Sequence, residues 1–313
     1  IKTECMKGML KTPSLWNEDK INAFSTSCAK RKNKKIMQQF SIFDNSIIVA
    51  AHPDDEILWF SSLLEKADHV ALCYLGELVN PEFGRYRSQA LSQFPLSEKM
   101  SCLELTALGI SRPRNFISPK FSPFGIELVP DSKLPKNGQK HYEENYVILR
   151  DKLADILGEF KNVVTHNPWG EYGHEEHVQV YRAVKDLQPR LGFDLWISNY
   201  CSTRTVGLIG SIAKASQVVT LPTNSQLAKR IMDIYIQYQC WTWYEDWQWP
   251  SEETFFQEAP NGSPGINYGS VLPFNLIVKP PLPVQAVQGE SKLGRIKKMV
   301  GLGDKPKRPA RQG

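Results

Sequence analysis

The sequence predicts an α/β protein: a mostly parallel sheet with helices on both faces. Three observations carry this. Short β-branched apolar runs at 46–51, 70–75, 163–165 and 195–198 recur with helix-like stretches between them, the alternation that parallel strands and crossover helices require. The runs are continuously apolar, as strands buried on both faces are. The chain has 313 residues, 41% hydrophobic and 23% charged, enough apolar material for a sizeable core and ordinary for a globular protein.

Taken in order, residues 1–44 read as an N-terminal extension. Its Lys30-Arg31-Lys32 and Lys34-Lys35 run is too hydrated for a core. Residues 46–51 form the first buried strand and 57–64 a helix. A second strand, 70–75, ends at Gly76-Glu77. Residues 97–108 read as a helix closed by Gly109. Residues 142–160 read as a long amphipathic helix with Val147, Leu153, Ile156, Leu157 and Phe160 facing inward. A third strand (163–165), a helix (174–187), a fourth strand (195–198), a fifth (218–221) and a helix (225–239) follow. Residues 240–268 are dense in aromatics, among them Trp241, Trp243, Tyr244, Trp247 and Trp249. Such a cluster either fills core or makes a wall for sugar rings. A last strand is expected at 271–279, before the breakers Pro280, Pro281 and Pro283. One domain is thus expected at 45–284, with a basic, disordered tail at 285–313.

The net charge of +5 belongs to that tail, which carries eight Lys/Arg against two acids from Ala286 onward. Within it, Leu293, Ile296 and Val300 share a helical face ringed by basic residues. Weak peripheral contact with an anionic membrane is one reading; a flexible solubilising tail is the other. Aromatics are not interleaved with the charge, so no nucleic-acid partner is expected. No apolar stretch approaches the roughly 20 residues of a spanning helix, and the first 30 residues lack the apolar core of a signal peptide. Six scattered cysteines without a C-x-x-C pair read as reduced thiols, and a cytoplasmic location is expected.

Two segments carry chemistry. Ala51-His52-Pro53-Asp54-Asp55-Glu56 follows directly on a buried strand, and in open α/β sheets sites form at the carboxyl ends of strands. Two adjacent carboxylates there repel, and a cation relieves the cost of keeping both ionised. The competing reading is a solvated turn in which Asp54 or Asp55 caps the next helix. The second segment runs from Val163 to His177 and includes Thr165-His166-Asn167-Pro168-Trp169-Gly170-Glu171-Tyr172-Gly173-His174-Glu175-Glu176-His177. His174 and His177 are three apart and share a face if helical. Four of the six histidines lie in these two segments. A parallel sheet would bring both to one rim, with His52, Asp55 and His177 as metal ligands and Asp54 and His174 left beside the metal as base and electrophile. His166 reads equally as a supporting or a structural histidine. No Gly-rich phosphate cradle follows the first strand, which argues against a nucleotide-binding protein.

A strand followed by A-H-P-D-D-E, then a later G-H-x-x-H at a helix start, resembles the PIG-L/LmbE-like zinc de-N-acetylase family over roughly 46–200. The resemblance implies a Rossmann-like fold and hydrolysis of an N-acetyl group on a GlcNAc-type amino-sugar conjugate, lipid-linked or nucleotide-linked. It implies Zn²⁺ on His52, Asp55 and His177, with Fe²⁺ the other ion such a donor set accepts. Asp54 would be the general base, and a protonated His174 would stabilise the oxyanion or donate a proton. Where many members read G-H-P-D-H, this chain has Glu175-Glu176 between the histidines. The family's Arg after the second strand has a counterpart in Arg87, but position 90 is Ala. Arg87, Trp169 and Tyr172 are the expected substrate contacts. Two rival readings share the site: an amidase cutting a bulkier amide of a sugar or thiol conjugate, and a zinc-containing carbohydrate-binding protein without turnover.

Overall fold

The structure is a computed structural model, described here for residues 44–130, 134–209, 214–259, 266–267 and 274–278. The N-terminal extension up to residue 43 and the basic tail lie outside the described residues.

The first strand, β1 (Ser46–Ala50), is completely buried. It pairs in parallel with β2 (His69–Glu77) on one side and with β6 (Asn162–Thr165) on the other. Beyond β2 lies β3 (Met100–Ala107), and beyond β6 lies β7 (Asp194–Ser198), both parallel. The sheet then turns antiparallel through β10 (Glu252–Glu258), β9 (Lys214–Pro222) and β11 (Ile266–Asn267). Among the described residues the order is β11-β9-β10-β7-β6-β1-β2-β3. The chain winds outward from β1 to β3, then returns to the other side of β1 at β6. The strand order therefore reverses between β1 and β6, where an open α/β sheet leaves a crevice beyond its carboxyl ends. This is the predicted architecture, mostly parallel and Rossmann-like.

Period-two side-chain alternation divides the core into two layers. Ile48, Ala50, Val164, Trp196 and Phe255 face one layer, shared with α1 (Asp55–Leu58), α2 (Phe83–Leu91) and α5 (Ser225–Gln237). Ile47, Val49, Val163, Leu195 and Ile197 face the other, covered by α3 (Gly138–Leu157) and α4 (Glu175–Leu191). Helices thus lie on both faces, as expected. Two short ladders complete the fold: β4 (Phe121–Ser122) with β5 (Gly125–Ile126), and β8 (Tyr200–Ser202) with β12 (Asn275–Ile277).

Three sequence expectations change. Residues 97–108 are not a helix. A short turn at Ser97–Lys99 leads into β3, where Leu103, Leu105 and Ala107 alternate with outward Glu104 and Thr106. Its mixed composition suits either period, and pairing with β2 decides for the strand. The helix at 57–64 contracts to α1, four residues. On α3, Val147 is 42% exposed, and the buried stripe is Tyr142, Tyr146, Leu149, Leu153 and Leu157, a three-and-four spacing one step away from Val147.

Candidate active site at the sheet switch point

Because β1 and β6 are neighbours, the loops after them meet. Residues 52–55 follow β1 and residues 166–174 follow β6, each reached without a detour. The imidazoles of His52 and His177 have centroids 5.6 Å apart.

Asp55 sits at the centre. Its Oδ1 accepts from Trp59 Nε1 at 2.7 Å. Its Oδ2 lies 3.1 Å from His52 Nδ1 and 3.3 Å from His177 Nε2. The second nitrogen of each imidazole is occupied. His52 Nε2 pairs with Glu176 Oε2 at 2.7 Å, and Glu176 Oε1 accepts from the Leu108 N–H at 2.6 Å. His177 Nδ1 pairs with Glu171 Oε2 at 2.7 Å, while His177 Nε2 is buried without a hydrogen-bond partner. Three ligand-type atoms therefore converge, and both histidines are backed by a carboxylate, the arrangement that orients metal-binding imidazoles.

Charge balance also asks for a cation. Asp54, Asp55, Glu56, Glu171, Glu175 and Glu176 are all at most 3% exposed. Burial and the neighbouring Asp55 raise Asp54 to about 7, against the opposing pull of Arg87 and the Thr242 hydrogen bond. Burial raises Glu56 to about 8 and Glu175 to about 7. Burial would lower both His52 and His177, yet their carboxylate partners raise them to about 9 and about 10. In return, and despite burial, His177 holds Asp55 well below the usual carboxylate range. The cluster neutralises itself with imidazolium ions and protonated acids, a costly arrangement that a divalent ion would replace. The donor set of two nitrogens and one carboxylate oxygen suits Zn²⁺. His52, His174 and His177 form one grouping with ligand atoms within 4.8 Å of each other, and Asp55, His166 and His177 form another.

Asp54 does not cap α1. Its φ is +114° and its side chain makes no capping bond. Instead Oδ2 accepts from both the Thr242 N–H, at 3.2 Å, and the Thr242 hydroxyl. His174 precedes α4 rather than lying within it. It is the N-cap, with Nδ1 accepting from the Glu176 N–H at 3.2 Å. Burial, then the charges of His177 and His52, hold it well below the ordinary histidine value. With Nδ1 accepting, the proton of a neutral His174 sits on Nε2.

Asp54, His52, Asp55 and His174 open into a cavity of ≈ 100 Å³, walled by Leu58, Tyr172, Thr242, Trp243 and Arg87. Arg87 is only 2% exposed, pairs with Glu77 at 3.3 Å and lies over the Phe83 ring. Tyr172 lines the cavity as expected. Trp169 does not: it is fully buried under the sheet, with Nε1 donating to the Tyr200 carbonyl at 2.8 Å, so the structure makes it a packing residue. The 240–250 aromatics divide between the cavity and the core. Trp243 lines the cavity, while Trp241, Tyr244, Trp247 and Trp249 pack on the core layer below.

Sequence reasoning missed Thr242, 188 positions from Asp54, because nothing local marks it. It also missed Glu171 as the carboxylate that faces His177 and His166. The flanking Gly170 and Gly173 were the available signal, since they mark a tight turn able to bury a side chain.

Residues 47–188 match the family model described as PIG-L: GlcNAc-PI de-N-acetylase. The chain is 26% identical over 161 residues to a 1D-myo-inositol 2-acetamido-2-deoxy-alpha-D-glucopyranoside deacetylase of Corynebacterium urealyticum, covering 46% of this chain and 48% of that protein. It is 30% identical over 156 residues to the protein of the same description in Rhodococcus opacus, covering 44% and 51%. The chain thus spans about half the length of the curated relatives it matches. Among solved structures, a deacetylase of the teicoplanin biosynthesis pathway superposes with a TM-score of 0.46 at 11% identity, over 69% of this chain and all of that one. No helix among the described residues is long and apolar enough to cross a membrane. Over residues 47–188 this chain is similar to the PIG-L family.

Proposed function

We propose that this protein is a metal-dependent hydrolase that removes the acetyl group from an N-acetylated, GlcNAc-type amino-sugar conjugate. The observation that carries the reading is the convergence of His52 Nδ1 and His177 Nε2 on one Asp55 oxygen, beside a buried Asp54 that opens into the same cavity. The deacetylases named above, which act on an acetamido sugar, support the substrate class.

His52, Asp55 and His177 would hold the ion, Zn²⁺ by the chemistry of the donors. Such an ion, when bound, polarises a carbonyl oxygen and brings the pKa of water down to about 7. Asp54 accepts the proton of the attacking water. Thr242 occupies its Oδ2, so Oδ1 is the oxygen left for that proton. A carboxyl raised to about 7 matches a proton carrier working near neutrality. Water adds to the acetamide carbon, and the neutral His174 donates its Nε2–H to the oxygen that gains charge. The C–N bond breaks, Asp54 returns its proton to the amine, and acetate and the free amino sugar leave. Tyr172 and Trp243 present ring faces to the sugar, and Arg87 offers its guanidinium to a hydroxyl or a linked anionic group.

The test is release of acetate and free amine from a panel of N-acetylglucosaminyl conjugates, with purified protein loaded with zinc or stripped by a chelator. Turnover only in the zinc-loaded protein supports the reading. A zinc-loaded enzyme that leaves every acetamido sugar intact but cleaves bulkier amides would overturn the substrate class.

A further inference from the structure

Glu171 has a backbone φ of +52° between Gly170 and Gly173, both also at positive φ. A side chain rarely tolerates this left-handed conformation, and such strain persists where the surroundings over-determine it. Here they do. Glu171 Oε2 receives two imidazoles, His177 Nδ1 at 2.7 Å and His166 Nδ1 at 3.1 Å. Its Oε1 accepts from the Asn167 N–H at 3.2 Å and from the Ser198 hydroxyl. Its own N–H donates to Asn167 Oδ1 at 2.9 Å, and its carbonyl accepts from Thr205 Oγ1 at 2.6 Å.

The two imidazoles are stacked, with centroids 4.0 Å apart, and geometrically either one is placed to ligate with Asp55. The hydrogen bonds separate them. His166 Nε2 accepts the Ala51 N–H at 2.8 Å. That lone pair is spent, and the proton of His166 must sit on Nδ1, facing Glu171. His177 also spends Nδ1 on Glu171, but its Nε2 makes no hydrogen bond and faces Asp55 Oδ2 at 3.3 Å.

We propose that Glu171 is a positioning residue that selects the metal's donor set. By binding both Nδ1 atoms it turns the Nε2 of His177 toward the ion and retains His166 as a support for the β1 backbone rather than a ligand. The inference rests on the metal reading above and deepens it. His177 is required as an Nε2 ligand, His52 as an Nδ1 ligand, and His166 is excluded.

Two measurements on the full chain test this, with Zn²⁺ alone as the probe. In chelator competition, Glu171→Gln is expected to bind zinc about 10–100-fold more weakly than the wild type, because Gln replaces one of the two accepting oxygens with an NH2 group, which cannot accept from either the imidazoles or the Asn167 N–H and Ser198 hydroxyl. Binding within twofold of the wild type by a folded Glu171→Gln protein overturns the proposal. In the zinc-loaded wild type labelled with ¹⁵N-histidine, His177 is expected to keep its Nδ1 proton and carry the metal on Nε2, with His166 not metal-bound. Metal on His166, or on Nδ1 of His177, overturns the proposal even if Glu171→Gln fails to fold. A wild type that takes up no zinc overturns the metal reading itself, a result distinct from a zinc-binding wild type with an equally tight variant.

Discussion

Glu171 and Glu253 are both 0% exposed, yet their environments push them in opposite directions. Glu253, on β10, accepts from the hydroxyls of Ser61 and Tyr200, each at 2.8 Å, and from the Ser62 N–H at 2.7 Å. All are neutral donors. Burial wins there and raises its pKa. Glu171 is equally dry, but two imidazoles face it, and their charge and hydrogen bonds overcome burial and lower it to about 2. Burial alone does not say whether an acid is ionised; the charge of its partners decides. One carboxyl clamps the antiparallel half of the sheet to the loop after α1. The other belongs to the buried cluster of histidines and acids at the candidate site.

The comparison breaks most visibly at the cluster. Asp54→Asn is expected to lower the rate of acetate release by about 10²–10⁴-fold, the usual worth of a general base, with zinc content by elemental analysis unchanged. Loss of zinc together with activity would mean that Asp54 is a ligand instead. His177→Ala should weaken zinc binding in chelator competition by more than the roughly 10–100-fold typical of losing an outer partner. Glu253→Ala should leave zinc binding intact and destabilise the protein by about 3 kcal/mol in urea unfolding, since it orphans three buried donors. An effect on zinc affinity would unite the two regions that the comparison separates.

The smallest expected effect is a pair of opposite pH slopes in the stability of the metal-free protein. Glu171 binds fewer protons folded than unfolded between about 2 and its ordinary 4.5. Its contribution is present above that window and is lost as pH falls through it. Glu253 binds more protons folded than unfolded above its ordinary 4.5, so its contribution declines as pH rises. Urea titrations across pH should show that Glu171→Gln removes acid-side loss and Glu253→Gln removes decline above 4.5. Slopes unchanged in both variants would refute the partner-charge account.

Legibility in the sequence followed range. The A-H-P-D-D-E and G-H-E-E-H segments were readable because strand, loop and chemistry are consecutive. The β1 and β6 strands were readable because continuous β-branched runs have few other uses. β3 was misread because Cys102, Leu105 and Leu108 repeat at a helical spacing of three while Leu103, Leu105 and Ala107 alternate as a strand does, and only pairing with β2 separates the two. Trp169 was misplaced because proximity to His174 along the chain says nothing about which side of the loop a ring occupies.

By itself, the sequence determined which residue types meet: strand-forming runs that must be buried, and histidines and acids placed immediately after two of them. Only the tertiary structure decided which atoms are used. It put β6 beside β1, committed one nitrogen each of His52 and His177 to a carboxylate, brought Thr242 onto Asp54, and set the Glu176 N–H on His174 Nδ1. The reason is physical: hydrogen-bond direction and local charge depend on neighbours contributed by distant parts of the chain, and local periodicity carries no record of them.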